Sequence, residues 1–141
     1  MSDDGGLSRI QQRMAMIPKR VREAVKPALK KSGDEMAAVM KLYAASSKDS
    51  GALIESIEVT EAGQSTPPYS QPGGSTVVPE NSVAVTAGNA DVRYPHLVEY
   101  GTAKAPAQPF FWPAVRTVGK RERNRIKRAI AKAVRDTWGK R

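Results

Sequence analysis

The chain has 141 residues, 26% of them charged and 40% from the AVILMFWYC set, a composition that suits one compact soluble domain and excludes a disordered or membrane-embedded chain. It has no cysteine, which excludes disulfides and thiolate metal sites and fits synthesis in a reducing cytoplasm. Its formal net charge of +9 is unevenly placed: residues 1–48 sum to +5, residues 49–115 to −5 and residues 116–141 to +9. Such a basic, acidic, basic layout suits nucleic acid, an acidic protein surface, or further copies of the same chain.

Residues 1–6 read as a flexible, acidic N-terminus, unlike the basic start of a signal peptide, and no apolar run reaches the ~20 residues of a membrane span. The expectation is a chain neither inserted nor exported. Residues 7–48 read as helical. Leu7, Ile10, Met14, Ile17, Val21, Val25 and Leu29 fall three or four apart and form one stripe. Pro18 and Pro27 interrupt that run, so it predicts a kinked or broken helix ending near Ser32-Gly33. A second helix follows, with Asp34 as its cap and Met36, Val39, Met40 and Tyr43 on one face, running out near residues 45–47.

The period then changes. Leu53 to Thr60 reads as the approach to a strand and the strand itself, with Ser82 to Thr86 as its antiparallel partner. Residues 63–81 between them hold Pro67, Pro68, Pro72, Pro79 and the pair Gly73-Gly74. A connection of that length, beyond the ~12–15 residues usual for structureless loops, predicts an arm that orders only against a partner. Pro95 suits the first turn of a short helix and Gly101 its C-terminal cap. Phe110, Phe111 and Trp112 open the last helix, residues 113–141, three rings that lock its start onto the sheet. Val118, Ile126, Ile130, Val134 and Trp138 lie along one side of it, and Gly119 marks a bend. The predicted fold is a single α+β domain: N-terminal helices, a small antiparallel sheet with a long inter-strand loop across residues 49–115, and a basic C-terminal helix.

Catalytic chemistry is poorly supplied. His96 is the only histidine, and Glu99 three residues on shares its helical face, as a base and its orienting carboxylate do. No second histidine or carboxylate cluster at ligand spacing completes a site, so His96 reads as a structural hydrogen-bonding residue. Glycine loops that cradle phosphate and nucleophile elbows are absent from the sequence as well. The expectation is a non-enzyme with no cofactor, no metal and no small-molecule substrate. The basic C-terminal helix, with Lys120, Arg121, Arg125 and Arg128 as candidate contacts, reads as tracking a phosphate backbone, docking on an acidic neighbour, or facing solvent.

Two segments carry a resemblance. Ser50-Gly51-Ala52-Leu53-Ile54-Glu55-Ser56-Ile57 is similar to a "T/S-G-x-L-x-x-S-I" signature joining an N-terminal helix to a first strand. Tyr94-Pro95-His96-Leu97-Val98-Glu99-Tyr100-Gly101-Thr102, followed by Gln108-Pro109-Phe110-Phe111-Trp112-Pro113-Ala114, resembles the "Y-A-x-x-V-E-x-G-T … Q-P-F-x-x-P-A" block. Both belong to the tail-completion and head-tail joining proteins of long-tailed bacteriophages, a family of minor tail components. Pro95 departs from the small residue commoner there.

The resemblance implies a small α+β subunit that assembles with itself as a ring, commonly a hexamer, at the virion's head-tail junction after synthesis in the bacterial host. As a tail terminator or neck protein it would contact the tail tube protein and the capsid connector or stopper, and let DNA pass. The motif residues would be Gly51, Leu53, Ser56, Ile57, Tyr94, His96, Val98, Glu99, Gly101, Thr102, Pro109, Phe110 and Pro113. Glu99 is expected to bond backbone donors or a basic neighbour, and Pro109-Phe110 to anchor the last helix. The alternative is a nucleic-acid-binding module using the C-terminal helix.

Overall fold

The computed structural model describes residues 7–45, 51–104 and 106–139, and of residues 7–18, 138 and 139 the backbone alone. The elements are α1 (Leu7–Ala44), α2 (Gly51–Ser56), β1 (Glu58–Glu61), β2 (Val83–Thr86), α3 (Pro95–Tyr100) and α4 (Phe111–Gly139). The class is α+β, as expected. Tyr43 near the end of α1 shares a 3.1 Å hydrogen bond with Thr117 near the start of α4, whereas Glu35, two turns earlier, meets Arg121 and Arg125. The two long helices therefore run antiparallel.

The sheet is one antiparallel pair, with Val59 opposite Val85 and Glu61 opposite Val83. Strand alternation puts Val59, Val83 and Val85 on one face, and α1 crosses that face at Gly33. A Cβ on Gly33 would lie 2.9 Å from Val59 Cγ1 and 3.2 Å from Val83 Cγ2. This corrects the predicted break at Ser32-Gly33. The glycine permits close approach of helix to hairpin in the middle of one continuous helix, and packing offsets its poor helix propensity. Pro27 is exposed, so its missing donor removes a backbone bond without disturbing the core. Asp34 is no cap but a mid-helix residue 3.6 Å from Lys30, one turn before it. The N-terminal residues 1–6, the expected helix end at residues 46–47 and Gly51's neighbour Ser50 lie outside the described residues.

Residues 51–56 are helical, so the strand begins only at Glu58; the apolar pair Leu53 and Ile57 is spaced for a helical turn, and both are buried. The arm expected over residues 63–81 is folded on its own chain. Ser65 pairs with Val77, and Gln71 exchanges both backbone hydrogen bonds with Ala87. Thr66 Oγ1 donates to Gly74 O, and Thr66, Ser70 and Val78 are buried. A connection rich in Ser, Thr and Gly thus satisfies its backbone internally.

The core gathers Ala37, Met40, Ala44, Leu53, Ile57, Ala87, Phe110, Phe111 and Ala114. The three alanines on the two helices, Ala37, Ala44 and Ala114, let α1 and α4 approach closely. Two of the three expected aromatic anchors are buried; Trp112 is exposed, its ring edge-on to Phe111 at 5.0 Å. The inward stripe of α4 also differs from the predicted one. It runs through Phe111, Ala114, Val118, Glu122, Arg125 and Ala133, while Ile130 and Val134 are each 41% exposed and the side chain of Trp138 lies outside the described set. Gly119 sits within the continuous α4.

Candidate functional site

Both motif segments fold into one buried junction. Pro95 opens α3, and Gly101 closes it with φ +78° and an N–H donated to Leu97 O. The chain then returns, with Gln108 N–H donating to Val98 O, which carries Phe110 to Glu99. Glu99 is 6% exposed. Its Oε2 accepts from Phe110 N (2.8 Å) and Phe111 N (2.9 Å), and Oε1 accepts from Trp112 N (3.1 Å). Pro113 brings no N–H, so this one carboxylate satisfies the first turn of α4 and places its charge at the positive end of the helix.

Ser56 ties the other segment to the same place. Its Oγ donates to Leu53 O (2.6 Å) and accepts from Gly88 N (3.0 Å). Gly88 has φ +99°, and a Cβ there would lie 2.9 Å from Val92 O and 3.0 Å from Pro95 Cγ. The path Ser56, Gly88, Pro95, Glu99, Phe110 therefore links α2, the end of β2, α3 and α4. Gly88 and Asn89 escape the sequence reading, although Asn89 Oδ1, accepting from Asp91 N and Val92 N, makes the side-chain turn typical of asparagine.

Leu53, Ile57 and Phe110 are core residues, with Tyr94 and Val98 packed against that core. Thr102 Oγ1 accepts from Lys104 N, while Gly51 and Pro109 are exposed and Pro113 is half-buried. His96 is exposed and stands apart from the oxygens of Glu99, which all face backbone donors. The recess beside it, between Pro72, Tyr100 and Trp112, holds about 50 Å³, far below the ~300 Å³ at which ligand pockets begin. Among the described residues no group of three or more His, Cys, Asp or Glu side chains is placed to hold a metal ion.

A charged seam crosses the α1–α4 interface. Arg125 Nη1 donates to Glu35 Oε2 (2.6 Å) and Glu122 Oε2 (2.7 Å), and Arg125 Nη2 to Glu35 Oε1 (3.0 Å). Arg121 adds a 3.2 Å contact to Glu35. The Arg125 guanidinium, with Arg121 beside it, lowers the Glu35 pKa from 4.5 to about 2. Glu35 in turn raises that of Arg125. Glu122 is 3% exposed and its Oε1 has no hydrogen bond. Two of the four cations expected to contact DNA or a neighbouring subunit, Arg121 and Arg125, are thus tied to their own chain. Lys120 and Arg128 are exposed.

Elsewhere a cleft of about 440 Å³ separates α1 from the hairpin, lined by Lys19, Arg22, Lys26, Glu61 and Glu80, and bridged by Arg22 and Glu80 at 3.1 Å. Arg93 lies 3.7 Å above the Tyr69 ring. No helix among the described residues is long and apolar enough to cross a membrane. Comparison with protein-family models, curated proteins and solved structures finds no match to this chain.

Proposed function

We propose that the chain is a structural subunit of a phage or phage-derived particle. It forms a ring at the head-tail junction that completes the tail tube and meets the capsid connector. The observation that supports this most is the convergence of both motif segments on one buried junction, where Ser56 holds Gly88 and Glu99 caps α4. In this reading the motif is a folding device. It fixes where α4 leaves the core and leaves the helix surfaces to make contacts. Purified protein should then assemble, giving a mass several times that of the chain by light scattering and rings in negative stain. Monomers alone at micromolar concentration, with none of the chain at the neck of purified particles, would overturn the reading.

The alternative, a nucleic-acid-binding module, is favoured by Arg116, Lys120, Arg123 and Lys127. These recur on one exposed face of α4 and have no ion-pair partner among the described residues. It predicts duplex DNA binding that weakens steeply with salt.

A further inference from the structure

We infer that the outer face of α4 in one copy docks against the acidic α2–β1 edge of the next copy, an inference that rests on the ring reading above. Arg116, Lys120, Arg123 and Lys127 stand three or four residues apart, so their side chains form a single row. The same row begins at Trp112, which is 38% exposed, and continues to Ile130 and Val134. A phosphate backbone has no partner for exposed isoleucine and valine at the far end of the row. A protein surface does, so the mixture of apolar ends and a basic middle favours a protein partner.

The complementary surface is on the same chain. Glu55, Glu58 and Glu61 are exposed along α2 and β1, and none has an ion-pair partner among the described residues. The groove of about 580 Å³ beside Glu58 and Glu61 includes the exposed Ala38 and the half-buried Val59, which supply apolar contact. Lys30 in that groove is held by Asp34, and Lys41 leaves the edge net negative.

Self-pairing of either surface is disfavoured. Two α4 faces would oppose four cations to four cations. Two α2–β1 edges would oppose Glu55, Glu58 and Glu61 to the same three carboxylates. Only the cross-pairing joins opposite charges. A contact between two different surfaces of one chain propagates head to tail and closes into a ring where the rotation allows.

The test uses two charge-reversed full-length proteins. The first carries Arg116→Glu, Lys120→Glu and Arg123→Glu, and the second carries Glu55→Lys, Glu58→Lys and Glu61→Lys. Each alone should lose assembly by light scattering while keeping the wild-type circular dichroism spectrum. Their equimolar mixture should recover the wild-type mass, since every contact in an alternating ring then joins opposite charges. Glutamine at the same three α4 positions, a milder change, should weaken assembly and its sensitivity to salt. If both reversed proteins assemble like wild type, the docking is wrong and the ring reading stands. If each fails alone and the mixture also fails, the pairing of these two surfaces is wrong. A monomeric wild type removes the ring reading and this inference together. Loss of duplex DNA binding in the first variant with assembly intact would assign the α4 row to nucleic acid and overturn the inference.

Discussion

Glu99 and Glu122 are both almost fully buried carboxylates, at 6% and 3% exposure, and both belong to the packing of α4, yet they are satisfied in different ways. Glu99 accepts three backbone N–H groups whose positions the fold fixes. Glu122 takes its one hydrogen bond from Arg125, a long side chain one turn along its own helix that also serves Glu35, and its other oxygen has only a 3.7 Å ion pair with Arg121. The first arrangement orders no further side chain and turns the dipole of α4 to advantage. The second orders two guanidinium side chains to offset the desolvation of a carboxylate. The helix is therefore anchored at its N-terminus and aligned, more weakly, at its middle.

The largest effect should follow from removing the anchor. Glu99→Ala leaves Phe110, Phe111 and Trp112 N–H groups without an acceptor at a buried helix start, and should cost roughly 3 kcal/mol or more in urea denaturation. Glu99→Gln keeps the shape and one good acceptor and should cost less. A Glu99→Ala protein as stable as wild type would mean that water replaces the cap, and the contrast with Glu122 would collapse.

The seam should respond asymmetrically. Arg125→Ala strips the bond from the buried Glu122 oxygen and both direct bonds from Glu35, whereas Glu122→Leu removes a half-satisfied group and leaves Arg125 bonded to Glu35. Arg125→Ala should lower the urea midpoint more than Glu122→Leu, because a buried carboxylate left with only the 3.7 Å Arg121 ion pair and no hydrogen bond is worse than an apolar side chain of similar size. The reverse order would make Glu122 the anchor of the seam.

Acid should separate the two regions by a smaller amount. The Glu35 pKa is lowered in the folded chain, from 4.5 to about 2, chiefly by Arg125. Its contribution to stability is therefore complete above pH 4.5 and is lost as the pH falls through about 2. Glu35→Gln should flatten the stability profile across that window. An unchanged profile would show that the ion pair holds no more tightly in the folded chain than in the unfolded one.

These contrasts also explain what was legible in the sequence. The α3 helix, with Pro95 at its start and Gly101 at its end, follows from residues whose backbone preferences are local. The pairing of β1 with β2 follows from alternation. The inward face of α4 does not, because alanines fill it where α1 comes close and Glu122 and Arg125 occupy its middle, so a search for large apolar residues settles on the exposed Ile130 and Val134. Glu99 is legible as a motif carboxylate that bonds backbone donors or a basic neighbour, but only the return of Gln108 to Val98 shows which donors it meets. The order of residues 63–81 is not legible in the sequence because it comes from hydroxyl and backbone bonds that leave no hydrophobic period.

Glycine in the two long helices gives the smallest and most discriminating pair of effects. Alanine is favoured over glycine inside a helix by about 1 kcal/mol, so both Gly33→Ala and Gly119→Ala start with the same gain. At Gly119 the new methyl's one tight neighbour would be Arg123 Nη1, at 3.2 Å, the far end of an exposed side chain that can swing away, with Val115 Cγ1 in ordinary contact at 4.0 Å. That gain should survive and raise the melting temperature slightly. At Gly33 the methyl would come within 2.9 Å of Val59 Cγ1, and both Val59 and Val83 are β-branched, with little rotamer freedom to retreat. Overpacking of about 1–3 kcal/mol should then outweigh the gain, and α1 must lift from the hairpin. Opposite shifts in the two melting temperatures would identify Gly33 as the point where helix and sheet touch. Equal upward shifts would return it to the role its sequence context first suggested, a glycine that merely interrupts a helix.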